Sequence, residues 1–391
     1  MPKLFLHKGR EQPVVRGHPW IFSGAIQRVE GEVEVAGVAD LYDSSGLWLA
    51  RGCYNPKSQI RLRILTWREE AIDKSFFARR LSHALERREQ SLSGLTNAYR
   101  LINGEGDFLP GLVVDRYGDY LVCQFFTAGM DGLKGMVIDA LRHLFPRMSI
   151  YERSEGSVRE EEGLLPSVGP LSGDEPPELV VVEENQLKFL ADLRGGQKTG
   201  FYLDQRENRI LLHSLSREKA VLNCFSYTGA FGASALKGGA RQVISVDSSR
   251  PALETARRVL DLNDLAAAAD DLIRADVFSY LKNCPRQFDI VVLDPPSLAH
   301  RRGDVAAASG SYKFLNLHAL RVLRPGGLLL TFSCSQHIPQ ELFQKIVFGA
   351  AVDSGKRMQI LKKLGQPIDH PVSLHHLEGE YLKGFLLGVL D

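Results

Sequence analysis

At 391 residues, 44% of them apolar, the chain is long enough for two or three cores, and its composition excludes general disorder. The formal charge is +1, so any nucleic-acid partner has to be met by a local basic surface and not by the molecule as a whole. Five dispersed cysteines without CxxC spacing (Cys53, Cys123, Cys224, Cys284, Cys334) speak against zinc or a disulfide framework and for a reducing cytoplasm, and neither a leader peptide nor a membrane-spanning stretch is expected.

Residues 1 to about 70 predict short strands and turns. Arg16-Gly17-His18-Pro19-Trp20-Ile21-Phe22 is a turn feeding an aromatic strand, Val33-Glu34-Val35-Ala36 alternates, and Ile60-Arg61-Leu62-Arg63-Ile64-Leu65 alternates strictly. The expectation is a small β-barrel with Arg61 and Arg63 on its outer face. A helix follows over 73–93, with Asp73 as N-cap and Phe76, Phe77, Leu81, Ala84 and Leu85 at helical spacing. Arg79, Arg80, Arg87 and Arg88 lie on or near the opposite side. They form either a solvated helix face or a patch for RNA.

Between 99 and 190 the pattern gives strands and one more helix. Leu112 to Val122 reads as a hairpin turning at Gly118-Asp119, Met130 to Phe145 as an amphipathic helix, and Pro166 to Pro177 as a loop rich in Gly, Pro and Ser. From about 186 strands alternate with helices. Strands are expected at Ala220–Phe225, Gln242–Asp247, Leu272–Ala275, Asp289–Leu293 and Leu328–Phe332, and helices at Gly229–Lys237 and Pro251–Asn263. That is a doubly wound sheet of βαβ units.

Ligands bind such sheets at the carboxyl ends of the strands. The first strand ends in Phe225-Ser226-Tyr227-Thr228-Gly229, where a glycine permits close approach and helix N-terminal amides favour a carboxylate. The second ends in Asp247, placed to accept hydrogen bonds from both ribose hydroxyls of a nucleotide. G-x-G-x-x-G is absent, so little backbone is available to cradle a diphosphate. A nucleoside with an amino-acid tail, S-adenosylmethionine, fits. Asp276-Val277 follows the third strand, and its carboxylate suits the adenine amino group. Taken singly, each acid is as readily a helix cap or a solvated loop residue.

The stiff Asp294-Pro295-Pro296 can hold an acid and a backbone carbonyl against the edge of a planar base. Cys334, between Ser333 and Ser335 at a strand end, has a polar setting unlike that of Cys53, Cys123 and Cys224, which read as small core residues. Cys334 is the expected nucleophile and Asp294 its catalytic partner.

In order along nearly the whole chain, the sequence resembles the bacterial large-subunit ribosomal RNA cytosine-C5 methyltransferases of the RlmI type. The matches are Gly17-His18-Pro19-Trp20-Ile21-Phe22-Ser23-Gly24-Ala25-Ile26, Tyr99 to Asp107, Leu109 to Asp119, Tyr151-Glu152-Arg153-Ser154 and Gln197 to Arg209. The Phe225 turn, Asp294-Pro295-Pro296, Tyr312-Lys313, Ser333-Cys334-Ser335 and Glu378 to Gly384 complete them. The resemblance implies an α/β protein with a β-barrel PUA domain (1–70), a middle α+β domain (71–185) and a Rossmann-like class I methyltransferase domain (186–391). It implies S-adenosylmethionine against Lys198, Tyr202, Asp204, Gln205 and Arg206, and against Phe225, Tyr227, Thr228, Gly229, Asp247, Asp276 and Val277. Pro295, Pro296, Lys313, Arg61 and Arg63 are the expected substrate contacts. The implied partner is large-subunit ribosomal RNA, with a homodimer as the implied assembly. Ser297 and Phe314 depart from the family pattern, which commonly has a lysine and an acid there.

The chemistry expected is thiolate attack at carbon 6 of cytosine, which makes carbon 5 nucleophilic. A base extruded from any stacked helix is the expected substrate, with arginines on phosphates. The rivals are a methyltransferase acting on a base nitrogen, which needs no cysteine, and a non-catalytic RNA-binding assembly factor on the same fold.

Overall fold

The computed structural model describes residues 1–32, 36–266 and 271–390. The chain forms two compact units. One contains Met1–Val182, Ala191–Leu203 and Ile368–Gly379; the other contains Glu183–Leu190, Asp204–Pro367 and Glu380–Asp391.

The first unit begins with a six-stranded sheet in the order Trp20–Phe22, Ile60–Thr66, Trp48–Tyr54, Val38–Tyr42, Lys3–Leu6, Ile26–Glu30. Leu4, Leu6, Ile21, Leu41, Leu62 and Ile64 form its core, while the edge strand Ile26–Glu30 buries no residue. Val33, Glu34 and Val35, part of one expected alternating run, lie outside the described residues. Arg63 lies on the face opposite this core, but that face is covered at this position. Its guanidinium is 11% exposed and pairs with the buried Glu162 at 2.7 Å. Burial alone would raise the Glu162 carboxyl, but Arg63 and hydrogen bonds from Asn55 and the Ala128 N–H hold it below its ordinary range.

A five-stranded sheet follows, ordered Ser167–Ser172, Ser149–Ser154, Tyr120–Phe125, Leu112–Tyr117, Ala98–Asn103. Helices Lys74–Leu92 and Lys134–Leu144 pack on it through Phe76, Phe77, Leu81, Val137 and Leu141. Asp73 caps the first helix by accepting from the Phe76 N–H at 2.9 Å, and the hairpin turns where expected, with Tyr117 opposite Tyr120. Two expectations fail here. The helix from Met130 is broken at Leu133 into Ala128–Gly132, capped by Thr127, and Lys134–Leu144. The stretch read as a loop contains the edge strand Ser167–Ser172; an edge tolerates Pro170 because the missing N–H faces away from the ladder.

The second unit carries the sheet that positions the site. Its strands are β1 (Ala220–Cys224), β2 (Gln242–Asp247), β3 (Leu272–Arg274), β4 (Phe288–Leu293), β5 (Leu323–Ser333), β6 (Met358–Leu364) and β7 (Lys383–Val389). They lie in the order β3-β2-β1-β4-β5-β7-β6; β1 to β5 are parallel and β7 is antiparallel to both neighbours. Both faces of β4 are covered. Val291 and Leu293 enter the core shared with helices Val305–Val322 and Gln340–Ser354, while Ile290 and Val292 enter the core shared with helices Arg206–Leu215 and Ala230–Lys237. Burial on both sides is why this strand reads as a continuous apolar run. Strand order reverses between β1 and β4, which opens a crevice at their carboxyl ends. Strands β6 and β7 were not anticipated.

Candidate active site at the carboxyl ends of the parallel strands

Beyond β1 the chain turns sharply. Phe225 and Tyr227 both hold positive φ (58° and 47°), a conformation costly for residues with a Cβ. Gly229 is at φ 78° and begins helix Ala230–Lys237; a Cβ there would stand 2.8 Å from that of Ala256. The turn is fastened to β2, because the Tyr227 N–H donates to Asp247 Oδ2 at 2.8 Å and the Ser249 N–H to Oδ1 at 2.9 Å. A carboxylate has about four acceptor sites, so Asp247 retains capacity for two hydroxyl donors. Ser226 Oγ is buried with no hydrogen-bond partner among the described residues. An orphaned buried hydroxyl, a left-handed turn and a half-satisfied acid at successive strand ends fit a polar nucleoside with a charged tail. Asp276 is exposed and caps helix Val277–Asn283, its Oδ1 accepting from the Ser279 N–H at 2.8 Å; the next residue, Val277, is buried.

The remaining expected cofactor residues fall into two groups. Lys198 and Tyr202 belong to the first unit, where the lysine amine sits 5.7 Å from the tyrosine ring. Asp204, Gln205 and Arg206 belong to the second. Asp204 is buried and accepts from the Tyr381 hydroxyl at 2.8 Å. Arg206 is fully buried, 3.6 Å from Glu184, the same carboxylate that Arg209 grips. Gln205 donates to Asp294 Oδ1 at 2.9 Å while its own oxygen accepts from Asn208, so the side-chain amide is fixed at both ends.

Asp294 continues β4 and Cys334 continues the neighbouring β5, with Leu293 opposite Thr331. Parallel register therefore brings the two strand ends side by side. Cys334 Sγ lies 3.9 Å from the Pro295 carbonyl oxygen. The thiol is partly exposed, Pro295 is buried and Pro296 exposed. The other partly exposed thiol is Cys284; Cys53, Cys123 and Cys224 are core residues, and burial pushes the Cys53 thiol up to about 12.

Three groups left without a role by sequence reasoning hold this corner. Ser335 Oγ accepts from the Leu298 and Ala299 N–H groups at 3.0 and 3.2 Å and meets the Ser297 hydroxyl at 3.2 Å. This ties the loop after Pro296 to the end of β5. Tyr312, buried on helix Val305–Val322, touches Ser333 and Ser335, 3.0 Å from each hydroxyl. Burial pushes its phenol up, as does the nearby Cys334, against hydrogen bonds from the serines. Lys383, the first residue of β7 and opposite Ser333, is buried and donates to the Ser335 carbonyl at 2.7 Å. A lysine heading the apolar run Gly384-Phe385-Leu386-Leu387 was the available signal. Lys313, an expected substrate contact, is half-exposed and paired with Asp353 at 2.8 Å.

Comparison with known proteins follows the same lines. A family model for PUA-like domains matches residues 4–67, and one for S-adenosylmethionine-dependent methyltransferases matches 166–371. The chain is 46% identical to ribosomal RNA large subunit methyltransferase I of Klebsiella pneumoniae (strain 342), covering all of this chain and 98% of that protein. It is 48% identical to the Aeromonas salmonicida protein of the same name, covering 98% of each. A solved methyltransferase complexed with SAH, SMU.776, is 26% identical over the full length of both chains with a TM-score of 0.86.

Proposed function

The chain belongs to the S-adenosylmethionine-dependent methyltransferases, in the family of ribosomal RNA large subunit methyltransferase I, and on that premise we propose that it methylates carbon 5 of a cytosine in large-subunit ribosomal RNA through a transient bond to Cys334. The observation that carries this reading is the 3.9 Å approach of a partly exposed thiol to the Asp-Pro-Pro strand end. A base-nitrogen methyltransferase has no use for a sulfur there.

Carbon 5 of cytosine is a weak nucleophile. Attack by the Cys334 thiolate at carbon 6 moves electron density onto carbon 5 and N3. Asp294, oriented by Gln205, hydrogen-bonds the cytosine edge and supports protonation at N3. Pro295 presents its carbonyl to the same edge. S-adenosylmethionine, when bound, supplies the methyl as an electrophile; the Phe225–Gly229 turn, Asp247 and Asp276 would hold it. Carbon 5 takes that methyl as the donor's thioether leaves, and loss of the carbon-5 proton to solvent water then expels the sulfur from carbon 6 and restores the thiolate. The target base has to be unstacked for the thiol to reach its ring, and the PUA-like segment is the expected RNA anchor.

The test is a modification map of large-subunit RNA from cells with and without the gene, with the nucleoside identified by mass spectrometry. A missing 5-methylcytosine is expected; a missing N-methylated base would overturn the carbon-5 reading. Cys334→Ala should bind S-adenosylmethionine normally and transfer no methyl.

A further inference from the structure

A thiolate nucleophile needs a cation, because an isolated thiol stays protonated at neutral pH. The corner around Cys334 is built mostly of neutral groups, Ser297, Ser333, Ser335 and the Tyr312 phenol, with the Asp294 carboxylate at the adjoining strand end, where a negative charge adds to the need for a cation. The cationic side chain brought there is Lys383. It is 4% exposed, and its amine donates to one neutral acceptor, the Ser335 carbonyl. It has no salt bridge among the described residues. A lysine is very seldom buried without a carboxylate. The ionisable groups that act on it are Cys334 first and the exposed Glu380 second, both favouring its charged form.

Its placement follows from topology. Strand β7 runs antiparallel to β5, with Lys383 opposite Ser333, so the first residue of β7 meets the last residue of β5. A single lysine enters the sheet where the nucleophile leaves it.

We propose that Lys383 is the counter-cation of Cys334, a positioning residue that holds the sulfur as a thiolate ready to attack carbon 6. The inference rests on the nucleophile role given to Cys334 above. The ammonium keeps its proton throughout; the thiol loses one to solvent, and two opposite charges then face each other in a corner of low dielectric.

The test reads the sulfur directly and needs no RNA. In a Cys284→Ser background, alkylation of Cys334 by iodoacetamide is followed against pH by peptide mass spectrometry. Lys383→Met should raise the midpoint by about one to three pH units, and Lys383→Arg should leave it near the parent value. An unchanged midpoint in Lys383→Met overturns the proposal. Should that variant not fold, the reciprocal measurement decides. In Cys334→Ser the Lys383 amine, followed by NMR of carbon-13-labelled lysine, should titrate at lower pH than in the parent; an unmoved amine overturns the proposal. Methyl transfer by Cys334→Ser is measured in parallel. Retained turnover removes the nucleophile role without altering what the alkylation profile says of the pair.

Discussion

Arg88 in the first unit and Lys383 in the second are cations of almost equal burial, 3% and 4% exposed, yet their surroundings are opposite. Arg88 donates to both oxygens of the buried Asp107 at 2.7 Å, to the Asp369 carbonyl at 2.9 Å and to the Arg100 carbonyl at 3.0 Å. Each of the three guanidinium nitrogens is answered, so the charge is part of the scaffold. Lys383 has one carbonyl and no carboxylate partner among the described residues. Removing a buried charge from water costs several kcal/mol, and scaffold residues recover that cost through close opposite charges. A buried cation placed beside a reactive thiol and not beside a carboxylate marks a place where the fold accepts instability for chemistry.

Replacement by methionine should therefore act in opposite directions at the two sites. Arg88→Met strands Asp107, and breaking a buried pair in this way costs about 3–5 kcal/mol. Arg87, half-exposed and 2.6 Å from the same carboxylate, keeps the loss toward the lower end. Denaturant unfolding measures it; a loss under about 1 kcal/mol, the range of surface pairs, would make Arg88 no more than a surface residue.

Lys383→Met should instead stabilise the protein, and the effect should depend on pH. Burial pulls the Lys383 amine down from 10.5 to about 8. Between those values the unfolded chain holds a proton that the native state lacks, so native stability rises with pH across that window. Below about 8 both states hold the proton and the full cost of the buried ammonium stands. The methionine variant should gain on the order of 2–3 kcal/mol there, with the gain shrinking toward pH 10.5. The Ser335 carbonyl is not abandoned, since it also accepts from the Ile338 N–H at 3.1 Å. A variant that loses stability at pH 7 would place Lys383 in the scaffold beside Arg88.

This contrast explains what could be read before the structure and what could not. Strands β1, β2, β4 and the second half of β5 were visible because burial on both faces writes them as apolar runs, and Asp294 and Cys334 were found because parallel strands put their functional residues at one end. Lys383 was hidden. Its meaning depends on antiparallel pairing with β5, and its neighbour β6 carries Gln359, Ile360, Lys362 and Lys363 in exposed positions, with no clean pattern to announce an edge strand. The edge strand Ser167–Ser172 was masked by its own Gly169 and Pro170 for a related reason. Edge positions relax the rules from which strands are recognised. Arg88 was misjudged because helical spacing gives the face of a residue but not the carboxylate waiting opposite it.

The smallest effect concerns two arginines on one strand. Arg61 and Arg63 were taken together as phosphate contacts, but alternate residues of a strand share a face without sharing partners. Arg63 is committed to Glu162 and lies 5.7 Å from the Trp20 ring. Arg61 is half-buried with no salt bridge among the described residues. If the sheet meets RNA backbone, Arg61→Ala should reduce the slope of log affinity against log salt by about one while leaving stability within about 0.5 kcal/mol. Arg63→Ala should leave that slope intact and lower stability, because Glu162 loses the charge that keeps it ionised. Equal slopes in Arg61→Ala and the parent would remove the strand from the RNA contact. A slope reduced only by Arg63→Ala would mean that the Glu162 pair opens on binding, which a double change with Glu162→Gln would reveal by restoring stability without restoring the slope.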